Sequence, residues 1–180
     1  MEKSVVLIDA ENVIKSWRNY CDDNSLTEKI DYKKLAAILS KNTNLLRAYF
    51  YDGVPETIPL KKKNFLEALE KKGIQLRTKI LKNRQNRCKA CGDTSFRTVQ
   101  KGVDVSLATD ILRHAFQKTC EICIVVSGDE DYCDAIEAAK NLGIKVWVAS
   151  FKGSLSSKVE RSADKIVLIE DIFENVKRDI

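Results

Sequence analysis

The chain reads as an α/β protein built on a mostly parallel sheet with helices on both faces. Three observations predict it: short apolar runs recur along the whole length, helical periods lie between them, and glycines stand where helices should end. The runs are "VVLI" (Val5 to Ile8), "LLRAYFY" (Leu45 to Tyr51), "ICIVV" (Ile122 to Val126), "KVWVA" (Lys145 to Ala149) and "KIVLI" (Lys165 to Ile169), with "IQLRTKIL" (Ile74 to Leu81) as a weaker sixth. Short, almost wholly apolar runs suit strands covered on both faces. Helical spacing fills "DYKKLAAILSK", "LKKKNFLEALEKKG", "DVSLATDILRHAFQK" and "DYCDAIEAAKNLG", and Gly73 and Gly143 occupy C-cap positions.

The 180 residues suit one domain, residues 1–180, with a sizeable core. No stretch approaches the roughly 18 apolar residues that a membrane span needs. The apolar run before Asp9 is too short for a signal peptide, so a cytoplasmic location is expected. Charge is unevenly spread. Between Lys61 and Lys101 thirteen Lys and Arg face only Glu67, Glu70 and Asp93, a local net charge of +10, whereas the remainder carries −5. A basic middle beside acidic flanks is the pattern that guides a phosphate backbone toward a site of different character. Lys61 to Lys63, Lys71 and Lys72 read as the wet face of a helix. Arg77, Lys79, Lys82, Arg84, Arg87, Arg97 and Lys101 read as phosphate contacts.

The acidic residues fall in a suggestive place. In an open parallel sheet the ligand site lies outside the carboxyl ends of the strands, near the point where strand order reverses. Val5 to Ile8 runs into Asp9, with Asn12 three residues on, and Ile122 to Val126 runs into Asp129, Glu130 and Asp131. On a helical wheel Asp104 falls within about 40° of Ala108, Ile111 and Ala115, and Asp131 lines up with Ala135, Ala138 and Leu142. Both helices are therefore expected to start with a carboxylate on the inward stripe, while Asp110, about 120° from Asp104, is expected on the solvated side. Acids also favour first helical turns for electrostatic reasons alone, but that does not gather four of them at one sheet edge. Like charges so gathered call for a counter-ion, and all-oxygen ligands suit Mg²⁺ or Mn²⁺. Asn12 would hold a phosphate or the attacking water without adding charge. A lone histidine, His114, excludes a two-histidine acid–base ribonuclease within one protomer and leaves metal-activated water as the economical route.

The segments "LIDAENV", "QKGVDVSLATDIL" and "VVSGDEDYCDAIEAAKNLGIKVWVAS" together resemble the NYN-domain family, the LabA-like branch of the PIN-like nucleases. The resemblance runs from Val5 to about Ile169. It implies a Rossmann-like (PIN-like) sheet and a metal-dependent ribonuclease acting on RNA. Carried over by position, the metal-binding carboxylates are Asp9, Asp104, Asp129 and Asp131, Asn12 matches a polar family position, and Asp134 matches a more variable acidic one. Ala10 stands where the family commonly has glycine. Arg84, Arg87, Arg97 and Lys101 would meet the RNA backbone. A lone PIN-like domain has a short groove, which makes a homodimer plausible.

Between about residues 82 and 100 lies a basic insertion, expected to be irregular, holding Cys88-x-x-Cys91, half of a zinc knuckle. Completing the site would take Cys120 and Cys123, or Cys88 and Cys91 from two protomers. The first is disfavoured because Cys123 belongs inside a strand, where it should pack as a small hydrophobe. The plainer reading is two free thiols in a loop. Cys21 and Cys133 read as packing residues. Two rival functions stand beside the nuclease. One is an RNA-binding or regulatory NYN domain that cuts nothing. The other is a haloacid-dehalogenase-type phosphatase, which wants an aspartate two residues after Asp9, where this chain has Glu11.

Overall fold

Along the first strand, Val5 and Leu7 turn to one face and Val6 and Ile8 to the other, and all four are buried. That strand is covered on both sides, which is why its sequence is apolar without alternation. The computed structural model describes residues 1–87, 94–99 and 102–179, with residues 82–87 and 94–99 described by backbone alone. In chain order the elements are β1 (Lys3–Asp9), α1 (Ala10–Asp23), α2 (Tyr32–Leu39), β2 (Asn44–Val54), α3 (Leu60–Lys71), β3 (Ile74–Ile80), β4 (Lys82–Arg87), β5 (Thr94–Val99), α4 (Val103–Phe116), β6 (Ile122–Val126), α5 (Cys133–Asn141), β7 (Lys145–Ser150), α6 (Ser157–Ser162), β8 (Lys165–Leu168) and α7 (Phe173–Val176). A single 3-10 turn, Glu130–Tyr132, leads into α5.

Six strands form one sheet in the order β3-β2-β1-β6-β7-β8, every neighbouring pair parallel. The predicted α/β class holds. Val13, Trp17, Leu35, Leu66, Leu69 and Phe173, from α1, α2, α3 and α7, cover one face. Leu107, Ile111, Ile136, Ala139 and Val159, from α4, α5 and α6, cover the other. The chain builds outward from β1 to β3, then returns to lay β6 on β1's other side. The strand order therefore reverses between β1 and β6, where Ile8 lies abreast of Val126. The crevice beyond those two strand ends is the ligand position of this architecture. Gly73 and Gly143 adopt φ of +86° and +91°, the left-handed conformation that ends α3 and α5 at the expected glycines.

The elements differ from the sequence reading in two respects. The short α6 and α7 are absent from it, and so is α1, whose buried positions Val13, Trp17 and Cys21 recur only every fourth residue amid Glu, Lys, Arg and Asp. The insertion is not irregular throughout: β4 and β5 pair as a two-stranded antiparallel ribbon of mostly polar residues, with Arg84 abreast of Arg97 and Arg87 abreast of Thr94. Cys88, Cys91 and Lys101 lie outside the described residues. Among the described residues, no helix is long and apolar enough to cross a membrane.

Candidate active site at the sheet switch point

Asp9 is the last residue of β1 and the N-cap of α1, with extended backbone at φ −77°, ψ 105°. Its Oδ1 accepts the Asn12 backbone N–H at 3.2 Å, satisfying one of the donors that every helix start leaves free. Its Oδ2 accepts from the Ser127 hydroxyl at 3.0 Å and the Tyr132 hydroxyl at 3.1 Å. Only 4% of Asp9 is exposed. Burial raises its pKa above the ordinary 3.8, and the three hydrogen bonds, which pull it down, do not cancel that; the Asp104 charge adds to the rise.

Asp104 stands in the first turn of α4, half-buried as its wheel position predicts. Its pKa is also raised, chiefly by burial and further by the charges of Asp129 and Asp131, against a lowering hydrogen bond from Tyr132. The Tyr132 hydroxyl lies 3.3 Å from Asp104 Oδ1 while also reaching Asp9. A phenol carries one proton, so it serves one carboxylate at a time. Burial and the neighbouring carboxylates raise the pKa of that phenol, which keeps it a donor.

Asp129 is exposed and caps the 3-10 turn, its Oδ1 accepting the Asp131 N–H at 3.1 Å while its own N–H donates to Ser127 Oγ at 3.3 Å. Asn12 is tied to the same loop: its Oδ1 accepts the Gly128 N–H at 3.3 Å. Gly128 must be glycine for lack of room. A Cβ there would press into the Ser154 carbonyl oxygen and lie 2.6 Å from the Ser154 carbonyl carbon. Among the described residues no ion pair involves Asp9, Asp104, Asp129 or Asp131. The donor set is thus all-oxygen, acidic and mutually repelling, which suits a divalent cation. Yet among the described residues no three His, Cys, Asp or Glu side chains converge on a ready-made metal position. The chemistry fits the ion, and the Tyr132 hydroxyl stands between Asp9 and Asp104.

The structure therefore brings Asp9, Asn12, Asp104 and Asp129 to one crevice, and places Asp131 beside them as a charge felt by Asp104. Asp131 is exposed, not on an inward stripe as the wheel suggests. The 3-10 turn shifts the helical phase, so Tyr132, Ile136 and Ala139 point inward beside Ala135, the one expected position that stays buried. Asp134 is exposed in the first turn of α5. Asp110 is a second correction: 3% exposed, it accepts the Tyr51 hydroxyl at 2.7 Å. Cys123 is fully buried and its thiol is held protonated by burial, as a packing residue would be. Ser127 and Tyr132 are the site residues that spacing does not reveal. The serine's place directly after a buried strand is the one signal that points to it. A cavity of about 980 Å³ lies against Trp17 of α1 and Phe65 of α3 and is lined by none of the four aspartates.

The NYN domain family model matches residues 3–170. An uncharacterized protein of Sinorhizobium fredii is 34% identical over 68 residues, 36% of this chain and 32% of its own length. The low amplitude and bright protein LabA of Synechococcus elongatus is 27% identical over 128 residues, 71% of this chain and 64% of its own. The matches thus span about a third of the first relative and just under two thirds of the second. A Vibrio parahaemolyticus protein of unknown function has a crystal structure that superposes with a TM-score of 0.72, over 98% of this chain and 96% of that one. At 21% identity, that likeness establishes a shared fold.

Proposed function

This chain belongs to the NYN-domain family, in its LabA-like branch, and we propose that it is a divalent-metal-dependent nuclease that hydrolyses phosphodiester bonds in RNA. The observation that carries the reading is the acidic crevice at the strand-order reversal, where Asp9 and Asp104 sit with pKa values raised chiefly by burial, and further by Asp104 for the first and by Asp129 and Asp131 for the second. Asp9, Asp104 and Asp129 would hold Mg²⁺ or Mn²⁺, with Asp131 completing the cup. Such an ion supplies Lewis-acid stabilisation of the phosphate oxygens and a water of lowered pKa.

The chain's own groups have definable parts. Tyr132 and Ser127 fix the Asp9 carboxylate by hydrogen bonds and thereby set which lone pairs face the crevice. Asn12 uses its carbonyl oxygen on Gly128 N–H, leaving its amide N–H groups to donate to a substrate phosphate. The basic β4–β5 ribbon, with Arg84, Arg87 and Arg97, and Lys101 after it, would carry the strand toward the cup. The Cys88-x-x-Cys91 pair would add a structural zinc there only if two further ligands reach it. The phosphatase reading is weaker. Glu11, where that chemistry needs an acid–base aspartate, is exposed in the first turn of α1.

One observation favours a second reading, an RNA-binding domain that cuts nothing. Tyr132 spans Asp9 and Asp104, and no three described acids converge on one point. Incubation of an end-labelled, mixed-sequence single-stranded RNA with Mn²⁺ separates the two. The nuclease reading expects cleavage that EDTA abolishes and that Asp129→Asn, an exposed and structurally mild change, reduces by about 100-fold or more, since even outer partners of metal ligands cost 10–100-fold. Binding without cleavage in the wild type would support the second reading instead.

A further inference from the structure

On the α4 side of the sheet, toward its amino-terminal end, a cavity of about 280 Å³ opens between β2, β3 and the end of α4. Its lining includes Arg47, Tyr49, Arg77, Asp110, Arg113 and His114. Asp110, buried and aimed into it, organises the group. One oxygen pairs with Arg113 at 2.5 Å, and the other pairs with Arg77 at 3.5 Å and accepts the Tyr51 hydroxyl. The Arg77 guanidinium also lies 5.0 Å from the centre of the Tyr49 ring. Two arginines are thus held in place on one carboxylate, and Arg47 stands at the same cavity without an ion pair among the described residues. Burial lowers the pKa of His114 and favours its neutral form. Three guanidinium groups against one carboxylate leave surplus positive charge, and one carboxylate can engage only a few of their N–H donors. Preorganised, half-exposed guanidinium forks of this kind suit a phosphate.

The position relative to the acidic crevice follows from two independent spacings. Val5 lines the cavity and Asp9 ends the same strand four residues later, about 13 Å at the rise of a parallel strand. Asp104 and Arg113 lie nine residues apart on α4, about 14 Å along that helix. We infer that this cavity binds a backbone phosphate of the same RNA strand a few nucleotides from the bond to be cut, as an anchoring subsite that reads no base. The inference rests on the reading of the chain as an RNA nuclease, and it assigns the second phosphate contact to the β2–β3–α4 face.

Binding of a fluorescent 12-nucleotide single-stranded RNA, followed by anisotropy in EDTA across a chloride series, tests it without any cleavage step. Arg113→Gln is expected to weaken binding on the order of tenfold, the loss of a charge-assisted hydrogen bond. It should also make the slope of log K against log salt shallower by about 0.7, the value for one phosphate contact on a single strand. Arg47→Gln, at an exposed residue with no described ion pair, should weaken binding in the same sense and guards against a folding artefact in the first variant. Wild-type binding with both variants unchanged in affinity and slope overturns the subsite and leaves the nuclease reading intact. No RNA binding by the wild type would fell both, and would be visible before any variant is made. If inorganic phosphate raises the melting temperature of the wild type but not of Arg113→Gln, while RNA affinity is unchanged between them, the cavity takes a free anion and the strand assignment is wrong.

Discussion

At the scale of single residues the crevice is a place where stability is given up. Asp9 has three hydrogen-bond donors, yet burial still lifts its pKa, so the ionised form costs the fold more than those bonds return. The sign follows directly. A carboxyl whose folded pKa lies above its unfolded value contributes nothing at low pH and a constant penalty once pH has passed the folded value. The penalty grows between those two limits, beginning near the ordinary 3.8. Asp9→Asn keeps the acceptor for the Asn12 N–H and removes the buried charge. It should raise the melting temperature of the metal-free protein at pH 7, by about 2–4 °C for each kcal/mol recovered in a domain of this size. The gain should vanish below about pH 3.5, where the wild-type carboxyl is itself protonated. A lower melting temperature for the variant at pH 7 would mean that the hydrogen bonds outweigh the desolvation. Asp110, equally buried, has partners of another kind: two guanidinium groups and a phenol.

At the scale of elements, legibility tracks where the information lies. β1 and β6 could be read because strands buried on both faces are written as contiguous apolar runs, and their acidic ends followed from the chain itself. Gly73 and Gly143 were legible because a left-handed C-cap excludes most other residues. Asp110 was not, since its partners Tyr51, Arg77 and Arg113 come from three different elements and a wheel sees only one. Asp131 failed for a local reason: a 3-10 turn ahead of α5 breaks the 100° phase on which the wheel depends. The loop that carries Asp129 is held by close approach. The Gly128 carbonyl accepts the Ser156 N–H at 3.0 Å, and its Cα faces the Ser154 backbone with no space for a methyl group. Gly128→Ala should therefore destabilise the protein by about 3 kcal/mol, the upper range for overpacking against groups that cannot move aside. Urea unfolding would show it, and a midpoint equal to the wild type's would mean that the loop yields without cost.

At the scale of the whole molecule, the acidic side of the charge division seen in the sequence gathers in space. The aspartates meet where the strand order reverses, while the excess of Lys and Arg falls along the chain from α3 to the start of α4. The fold class, the switch point and the acidic edge could all be reached from the sequence, because each depends on the order of elements along the chain. The Tyr132 bridge and the arginine cavity could not, because they depend on how elements separated by dozens of residues meet. The claim at the centre is that the acidic crevice exists to hold a divalent cation. The most direct measurement is Mn²⁺ uptake at pH 7, followed by electron paramagnetic resonance of the free ion, for the wild type beside Asp9→Asn and Asp104→Asn. Uptake by the wild type that is lost in both variants, and that weakens as pH falls through the raised pKa values of these carboxyls, is the predicted result. No uptake by the wild type, or uptake indifferent to either substitution, would contradict it.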